Sequence, residues 1–342
     1  MFKVALSGDL LKEDGSLAYP DIDLNLLNTK NLKWEIVNTS KEIRAEELEG
    51  FDALILLGHR FTKNSVPKEN KLSIIARFGV GYDSVDLDAC NANSIALVIT
   101  PDGIRRPVAV SVIAFILSLT GNMFVKDRIT RNGQWHRRSE YMGRGLVGKT
   151  LGFIGFGNIG QEIVKLAKAF DMNFIAFDPY ANTEKLKNLG VQVKNIDSVF
   201  MESDIISINC ALTDETKHIV NAEKLSMMKE SSYLINTSRG PVVDQNALYE
   251  VLVSKKIAGA GLDVFEKEPP DLHEKILKLD NVILSPHSLC WTDEMFYKCG
   301  KDDIDAVKNI MMGIIPKNIV NKKIIKDKIW ADKLNKYKIT YS

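Results

Sequence analysis

The sequence predicts an α/β protein made of two doubly wound parallel-sheet domains. Three observations carry this. Short apolar runs alternate with helical patterns in two separate series along the 342 residues. The runs are continuously apolar, as in strands buried on both faces, rather than alternating as in half-exposed strands. Each series contains a glycine-rich turn directly after a strand, where open parallel sheets place their ligands.

In the first series the expected strands are Lys3–Leu6, Trp34–Val37, Ala53–Leu57, Ser73–Arg77 and Ala96–Ile99. Phe78-Gly79-Val80-Gly81 is its glycine-rich turn. Thr100-Pro101-Asp102-Gly103 then breaks the chain. Pro107 suits the first turn of a helix, where its missing N–H costs nothing. That helix is apolar on nearly every side through Leu119, a pattern expected of a helix buried all round, against another domain or another subunit. The second series begins at Thr150. Its strands are Leu151–Gly155, Asn173–Phe177, Ile205–Ile208, Tyr233–Asn236, Gly259–Leu262 and Val282–Leu284.

Charge and composition narrow the function classes. With 45 Lys and Arg against 44 Asp and Glu, the chain lacks the basic footprint of a nucleic-acid binder. Its one local excess, the Lys-rich tail from Lys322 to Lys338, reads as a solvated terminal face. Met1–Leu6 is too short an apolar run for a signal peptide, and Val108–Leu119 too short to cross a bilayer. The four cysteines form no C-x-x-C pair, and no Cys/His cluster has zinc spacing. The expectation is a reduced, cytoplasmic protein with no nucleic-acid, membrane or metal partner.

Gly155-Phe156-Gly157-Asn158-Ile159-Gly160 is G-x-G-x-x-G. The pattern alone is weak, but here it follows a strand and opens a helix, Gln161 to Phe170, which is the context of a dinucleotide site. Gly155 permits a tight turn, Gly157 lets the backbone approach a pyrophosphate, and Gly160 lets the helix pack on its strand. The N-terminus of that helix offers free N–H groups to phosphates, and Asn158 and Ile159 in the loop join the glycines as candidate cofactor residues. Asp178 ends the next strand. A carboxylate there binds both ribose hydroxyls and repels a 2′-phosphate, which favours NAD over NADP.

Three further segments follow strand ends of the second series. They hold Arg239 in Asn236-Thr237-Ser238-Arg239-Gly240, Glu268 in Asp263-Val264-Phe265-Glu266-Lys267-Glu268, and His287 in Ser285-Pro286-His287-Ser288. Singly, each has an ordinary reading as a turn or loop residue. As an ordered set beside a dinucleotide loop they match the needs of hydride transfer to a 2-keto acid. A planar cation holds the carboxylate, an imidazole gives a proton to the keto oxygen, and a carboxylate orients and charges that imidazole.

With these residues in place, the sequence resembles the D-isomer-specific 2-hydroxyacid dehydrogenases, from about Ser73 to Asn321. The matching stretches include Ala76-Arg77-Phe78-Gly79-Val80-Gly81-Tyr82-Asp83, Gly133-Gln134-Trp135, Leu146-Val147-Gly148-Lys149-Thr150, Leu212-Thr213-Asp214-Glu215-Thr216 and Gly261-Leu262-Asp263-Val264-Phe265. The resemblance implies an NAD-binding Rossmann domain inserted into a flavodoxin-like substrate domain. Residues 1–103 would form the first part of the substrate domain and 104–289 the Rossmann domain. Residues 290–342 would return to the substrate domain and end in the basic tail. It further implies a homodimer acting on a small 2-hydroxy or 2-keto acid. Arg239 would clamp the substrate, with Val80 and Gly81 offering N–H groups to its carboxylate. His287 would be the acid/base and Glu268 its partner. Asp178 would hold the adenosine ribose, Asp263 the nicotinamide carboxamide, and Thr216 would lie in the cofactor loop.

The chain departs from the family pattern in three places. Val110 stands where the family usually has an acid, Ala211 where a proline is common, and Trp291 in a segment that is small in many members. Trp291 reads either as a trim to the substrate pocket or as packing. Arg105 and Arg106 read as a site for a second substrate anion, a phosphate or phosphonate, or as partners of nearby acids. Two rival functions share the fold. A formate dehydrogenase would carry Gln in place of Glu268. An NAD-sensing corepressor or scaffold would keep the same triad, and turnover is what separates it from an enzyme.

Overall fold

A computed structural model of the chain describes residues 1–19, 22–37 and 41–341. The chain forms two compact units, Met1–Ile104 with Trp291–Ser342, and Arg105–Cys290.

The first unit is built on a parallel sheet of β1 (Phe2–Ser7), β2 (Leu32–Val37), β3 (Ala53–Leu56), β4 (Ile74–Arg77) and β5 (Ala96–Ile99). Their order is β2-β1-β3-β4-β5, the flavodoxin-like arrangement. β3 is buried along its whole length, as its unbroken apolar run requires. The end of the chain is sewn to β5. Ile319 bridges Val98, and the Asn321 side chain accepts from Leu97 N at 2.9 Å and donates to Ile95 O at 2.9 Å.

The Lys-rich tail is more than a solvated face. It forms the helix Lys328–Tyr341, which buries Trp330, Leu334 and Tyr337. The Trp330 indole donates to Ser73 O at 2.9 Å, and the Tyr337 hydroxyl donates to Asp52 Oδ1 at 2.9 Å. Lys333 reaches Asn70 Oδ1 and the carbonyls of Leu72 and Ser94. Burial lowers its ammonium pKa to about 8. The sequence shows the lysines but not the three apolar residues on the inner face as a set, because aromatic and charged residues interleave.

Asp303, on the helix Asp293–Met311, is fully buried, and both of its carboxyl oxygens lack a hydrogen-bond partner among the described residues. Burial pushes its pKa well up. The charge of Arg77 opposes the rise, and Asp302 adds to it. A carboxyl raised in the folded state favours folding below its ordinary pKa, and that advantage is lost as pH rises toward the raised value. Asp303→Asn removes this dependence. Thermal unfolding followed from pH 5 to 8 is therefore expected to show the variant gaining on the unmodified chain by about 1–3 kcal/mol. A pH-independent difference between the two would contradict this account.

The second unit holds seven parallel strands: β6 (Thr150–Ile154), β7 (Asn173–Phe177), β8 (Val191–Val193), β9 (Ile205–Ile208), β10 (Tyr233–Asn236), β11 (Gly259–Leu262) and β12 (Val282–Leu284). The order is β12-β11-β10-β9-β6-β7-β8, the doubly wound Rossmann pattern with its reversal between β6 and β9. Two apolar clusters lie on opposite faces of the sheet. One takes Leu151, Phe153 and Ile235, the other Ile154, Ile206 and Leu234, as the period of two requires. The three-residue β8 has no apolar run to announce it and was not expected.

The long apolar helix differs from expectation in where it starts. It begins at Pro101 and runs to Thr120, with Pro107 in its interior. Pro101 therefore takes the first-turn position that the sequence reading gave to Pro107. The Ser111 hydroxyl donates to Pro107 O at 3.0 Å. The close approach of Gly103 to the backbone of Cys299 shows that these early turns pack on the helix Asp293–Met311. Within the single chain the helix is not covered all round, which, of the two expected covers, leaves a second subunit for its exposed stripe. Long and apolar enough by composition to span a bilayer, it has 61% of that window buried. Val110, at 50% exposure, and Leu117, at 39%, form an uncovered stripe.

Candidate active site

β6 ends at Ile154, and the glycine loop carries the chain from it into the helix Asn158–Ala167. Gly155 has φ +81°, and a Cβ there would meet the backbone of Cys210, so only glycine fits. A Cβ on Gly160 would press on the Phe156 ring at 3.0 Å. Nothing lies within 4 Å of a Cβ on Gly157. That open space, beside the exposed N-terminal residue Asn158 and half-buried Ile159, is the shape a diphosphate needs. The residues present fit a dinucleotide.

Asp178 does double service. Its Oδ2 accepts from Phe156 N at 2.7 Å and its Oδ1 from Tyr180 N at 2.9 Å. The carboxylate thus ties the glycine loop to the end of β7 while retaining lone pairs for ribose hydroxyls. Thr216 closes a tight turn. Its hydroxyl donates to Ala211 O at 2.6 Å and accepts from Thr213 N at 2.8 Å.

The three chemistry-bearing side chains sit after β10, β11 and β12, which are adjacent in the sheet. Asn236, buried at the end of β10, shapes the Arg239 loop. Its amide donates to Arg239 O at 3.0 Å, and its oxygen accepts from Ser238 N at 3.0 Å. The next residue, Gly240, lies against the turn after β11, where a Cβ would collide with the Phe265 carbonyl and Glu266 N. The Arg239 and Glu268 loops are therefore in backbone contact.

Glu268 is held by both oxygens. Oε1 accepts from Phe265 N at 2.9 Å, and Oε2 lies 2.7 Å from His287 Nδ1. Burial raises the pKa of its carboxyl. That effect is outweighed by the hydrogen bond and charge of His287, the Phe265 N–H and the charge of Arg239, which hold the carboxyl below its ordinary range. A lowered carboxyl keeps its stabilising contacts above the ordinary carboxylate pKa and loses them only as pH falls through the lowered value. The pair is intact across neutral pH.

His287 has φ +55°, a left-handed conformation uncommon for a non-glycine residue and often found where a side chain is aimed for function. Asp263, which is buried, holds the loop from beneath. Its Oδ1 accepts from Ser288 N at 3.0 Å and Leu289 N at 3.1 Å. This bracing of the His287 loop is absent from the sequence reading, which gave Asp263 only to the cofactor. Asn236 was missed too, although a buried Asn at a strand end is a common pin for the turn that follows.

The remaining candidates fall as follows. Val80 and Gly81 follow β4 in the first unit and are half-buried. Gly79 N, just before them, donates to Thr100 Oγ1 at 2.7 Å. Trp291 packs edge-on to Tyr19, with ring centroids 5.2 Å apart, and edge-on to Phe296 at 5.6 Å. Arg106 pairs with Glu162 at 2.7 Å, and Arg105 approaches the same carboxylate at 3.8 Å. No group of three or more His, Cys, Asp or Glu among the described residues is arranged to hold a metal.

Comparison with known proteins finds a family model and several related chains. Residues 113–288 match the family model for the D-isomer specific 2-hydroxyacid dehydrogenase, NAD binding domain. The hydroxypyruvate reductase of Thermotoga maritima is 37% identical over 282 residues, covering 80% of this chain and 91% of that protein. The D-3-phosphoglycerate dehydrogenase of Methanocaldococcus jannaschii is 37% identical over 284 residues, covering 82% of this chain and 54% of that protein. The chain thus spans about half the length of that relative. Among solved structures, the D-lactate dehydrogenase of Aquifex aeolicus complexed with NAD and lactic acid superposes with a TM-score of 0.80 at 29% identity, covering 94% of this chain and 97% of that one.

Proposed function

Since the chain belongs to the D-isomer specific 2-hydroxyacid dehydrogenase family, we propose that it transfers a hydride between NAD(H) and a small D-2-hydroxy or 2-keto acid. The observation that carries this reading is the Glu268–His287 pair, 2.7 Å apart, with Arg239 on the adjoining loop. When bound, NADH supplies the hydride. Arg239 holds the substrate carboxylate and polarises the keto oxygen, and the N–H groups of Val80 and Gly81 are further candidates to bind that carboxylate. His287 gives its Nε2 proton to that oxygen as the carbonyl carbon is reduced, and takes it back in the reverse direction. Glu268 accepts from Nδ1–H, which fixes the tautomer and orients the ring. Gly155, Gly157, Asn158, Ile159 and Gly160 would cradle the diphosphate, Asp178 the ribose and Asp263 the nicotinamide carboxamide, with Thr216 in the cofactor loop.

The substrate is proposed to be a small acid without a second anionic group. Glu162 already engages Arg105 and Arg106, and that supports their reading as partners of a nearby acid. The relatives named for hydroxypyruvate and glyoxylate accord with this, whereas the one named for D-3-phosphoglycerate does not. Two further readings go with this one. Val110, Leu117, Met123, Phe124, Trp135 and Met142 are all exposed apolar side chains of the second unit, which supports a homodimer. The four cysteines are all unpaired, in keeping with the cytoplasm.

The test is NADH oxidation with a panel of 2-keto acids: hydroxypyruvate, glyoxylate, pyruvate, 2-oxoglutarate and phosphorylated or phosphonate-bearing acids. Turnover of a small keto acid is expected, with NADH preferred over NADPH. NADH binding without turnover of any of them would leave a cofactor-sensing protein instead.

A second expectation concerns Glu268. Glu268→Gln keeps an acceptor for Phe265 N–H but replaces the carboxylate that holds His287 Nδ1, so kcat should fall roughly tenfold or more in both directions with NADH affinity nearly unchanged. A kcat within twofold of the unmodified enzyme would mean that Glu268 does not govern this histidine.

A further inference from the structure

The turn that carries Glu268 holds a second histidine–carboxylate pair. His218 Nε2 hydrogen-bonds to Glu266 Oε1, two residues before Glu268. His218 lies two residues after Thr216, at the end of the tight turn Ala211–Thr216. Its own backbone is fixed, since its N–H donates to Pro241 O at 2.9 Å. It adopts φ +52°, a left-handed conformation that costs energy in a residue other than glycine. Glu266 is held as well, with its N–H donating to Gln245 Oε1 at 3.2 Å.

These contacts close a ring. Thr216 and His218 belong to one segment. Pro241 follows Arg239 and Gly240 on a second. Glu266 and Glu268 share a third, and Glu268 bonds to His287 on a fourth. Without the His218–Glu266 bond, the Glu268 turn would still touch the Arg239 loop at Gly240 but would have no side-chain tie to the Thr216 segment through this residue. Side chains at a reacting centre must hold their geometry to within a fraction of an ångström for efficient proton transfer.

We infer that His218 and Glu266 are a positioning pair, which fastens the turn carrying Glu268 to the segment carrying Thr216 and so sets the aim of the acid/base pair. The inference rests on Glu268 and His287 being that acid/base pair. Neither His218 nor Glu266 touches a reacting atom in this account. They act through Glu268.

The test uses the full chain, with kcat, KM and the dissociation constant for NADH measured on the best keto acid found. His218→Ala and Glu266→Ala should each lower kcat roughly five- to tenfold, with NADH affinity nearly unchanged. The double variant should be no worse than either single one, because both remove the same contact. His218→Gln, which can still donate to Glu266, should recover most of the loss, and it serves if an alanine variant fails to fold. In a Glu268→Gln background, His218→Ala should cost little more, since the group being aimed is already disabled. Singles within twofold of the unmodified enzyme would overturn the inference. So would losses that multiply in the double variant, or an undiminished His218→Ala effect on Glu268→Gln. Failure of the underlying reading would look different: His287→Ala itself would then retain its rate.

Discussion

His287→Ala is expected to lower kcat for keto-acid reduction by roughly 10²–10⁴-fold, the usual worth of a positioned general acid. NADH should still bind. The glycine loop after β6 and Asp178 at the end of β7 are built by contacts that do not involve His287. Direct titration of NADH fluorescence separates the two quantities. The backbone at His287 is left-handed, with φ +55°, so alanine there also carries a conformational cost that could disturb the loop. Asn tolerates this region better, which makes His287→Asn the companion variant. It preserves the turn and the Ser288 and Leu289 bonds to Asp263, yet cannot give up a proton. Equal losses in both variants point to the missing acid. A rate near the unmodified value in either would sink the assignment of His287.

Much of this arrangement was legible in the sequence because buried parallel strands must be continuously apolar. Eleven of the twelve strands among the described residues correspond to runs such as Asn173–Phe177 and Tyr233–Asn236, and ligand-facing loops follow the ends of such strands. Glu268 and His287 could be named because they lie just past two of them. β8 could not be seen. Its three residues, Val191-Gln192-Val193, are mostly exposed and look like any loop. The start of the helix Pro101–Thr120 was misplaced because two prolines compete for its first turn, and local propensity does not choose between them. Tertiary packing at Gly103 does.

The site's supporting bonds were the least visible part. Asp263 bracing Ser288 and Leu289, Asn236 shaping the Arg239 loop, and His218 reaching Glu266 each join segments far apart in the chain. No periodicity or spacing rule encodes such partners. Residue type gives a hint only after the loops have been placed side by side. The same holds for Arg105 and Arg106. Their pairing in sequence suggests an anion, and the fold supplies one in Glu162.

Arg239→Gln is expected to lower kcat/KM by roughly 10²–10³-fold, the range for removing one partner of a desolvated, hydrogen-bonded charge pair. The loss should be divided. A carboxylate clamp acts equally before and during reaction, so its removal raises KM. Polarisation of the keto oxygen grows as negative charge develops there, so its removal lowers kcat. The division can be checked through Arg239→Lys, which keeps the charge but replaces the planar fork with a single flexible ammonium. Lysine should recover part of the KM loss and little of the kcat loss. The loop itself should survive either change. The guanidinium donates to Ser238 O at 2.8 Å, a contact that either change alters, but Asn236 bonding to the backbone of Ser238 and Arg239, and the close approach of Gly240 to Phe265, hold the loop without it. If Arg239→Lys performs like the unmodified enzyme in both constants, bidentate recognition is not what this arginine provides. If Arg239→Gln leaves kcat/KM intact, the carboxylate is held elsewhere.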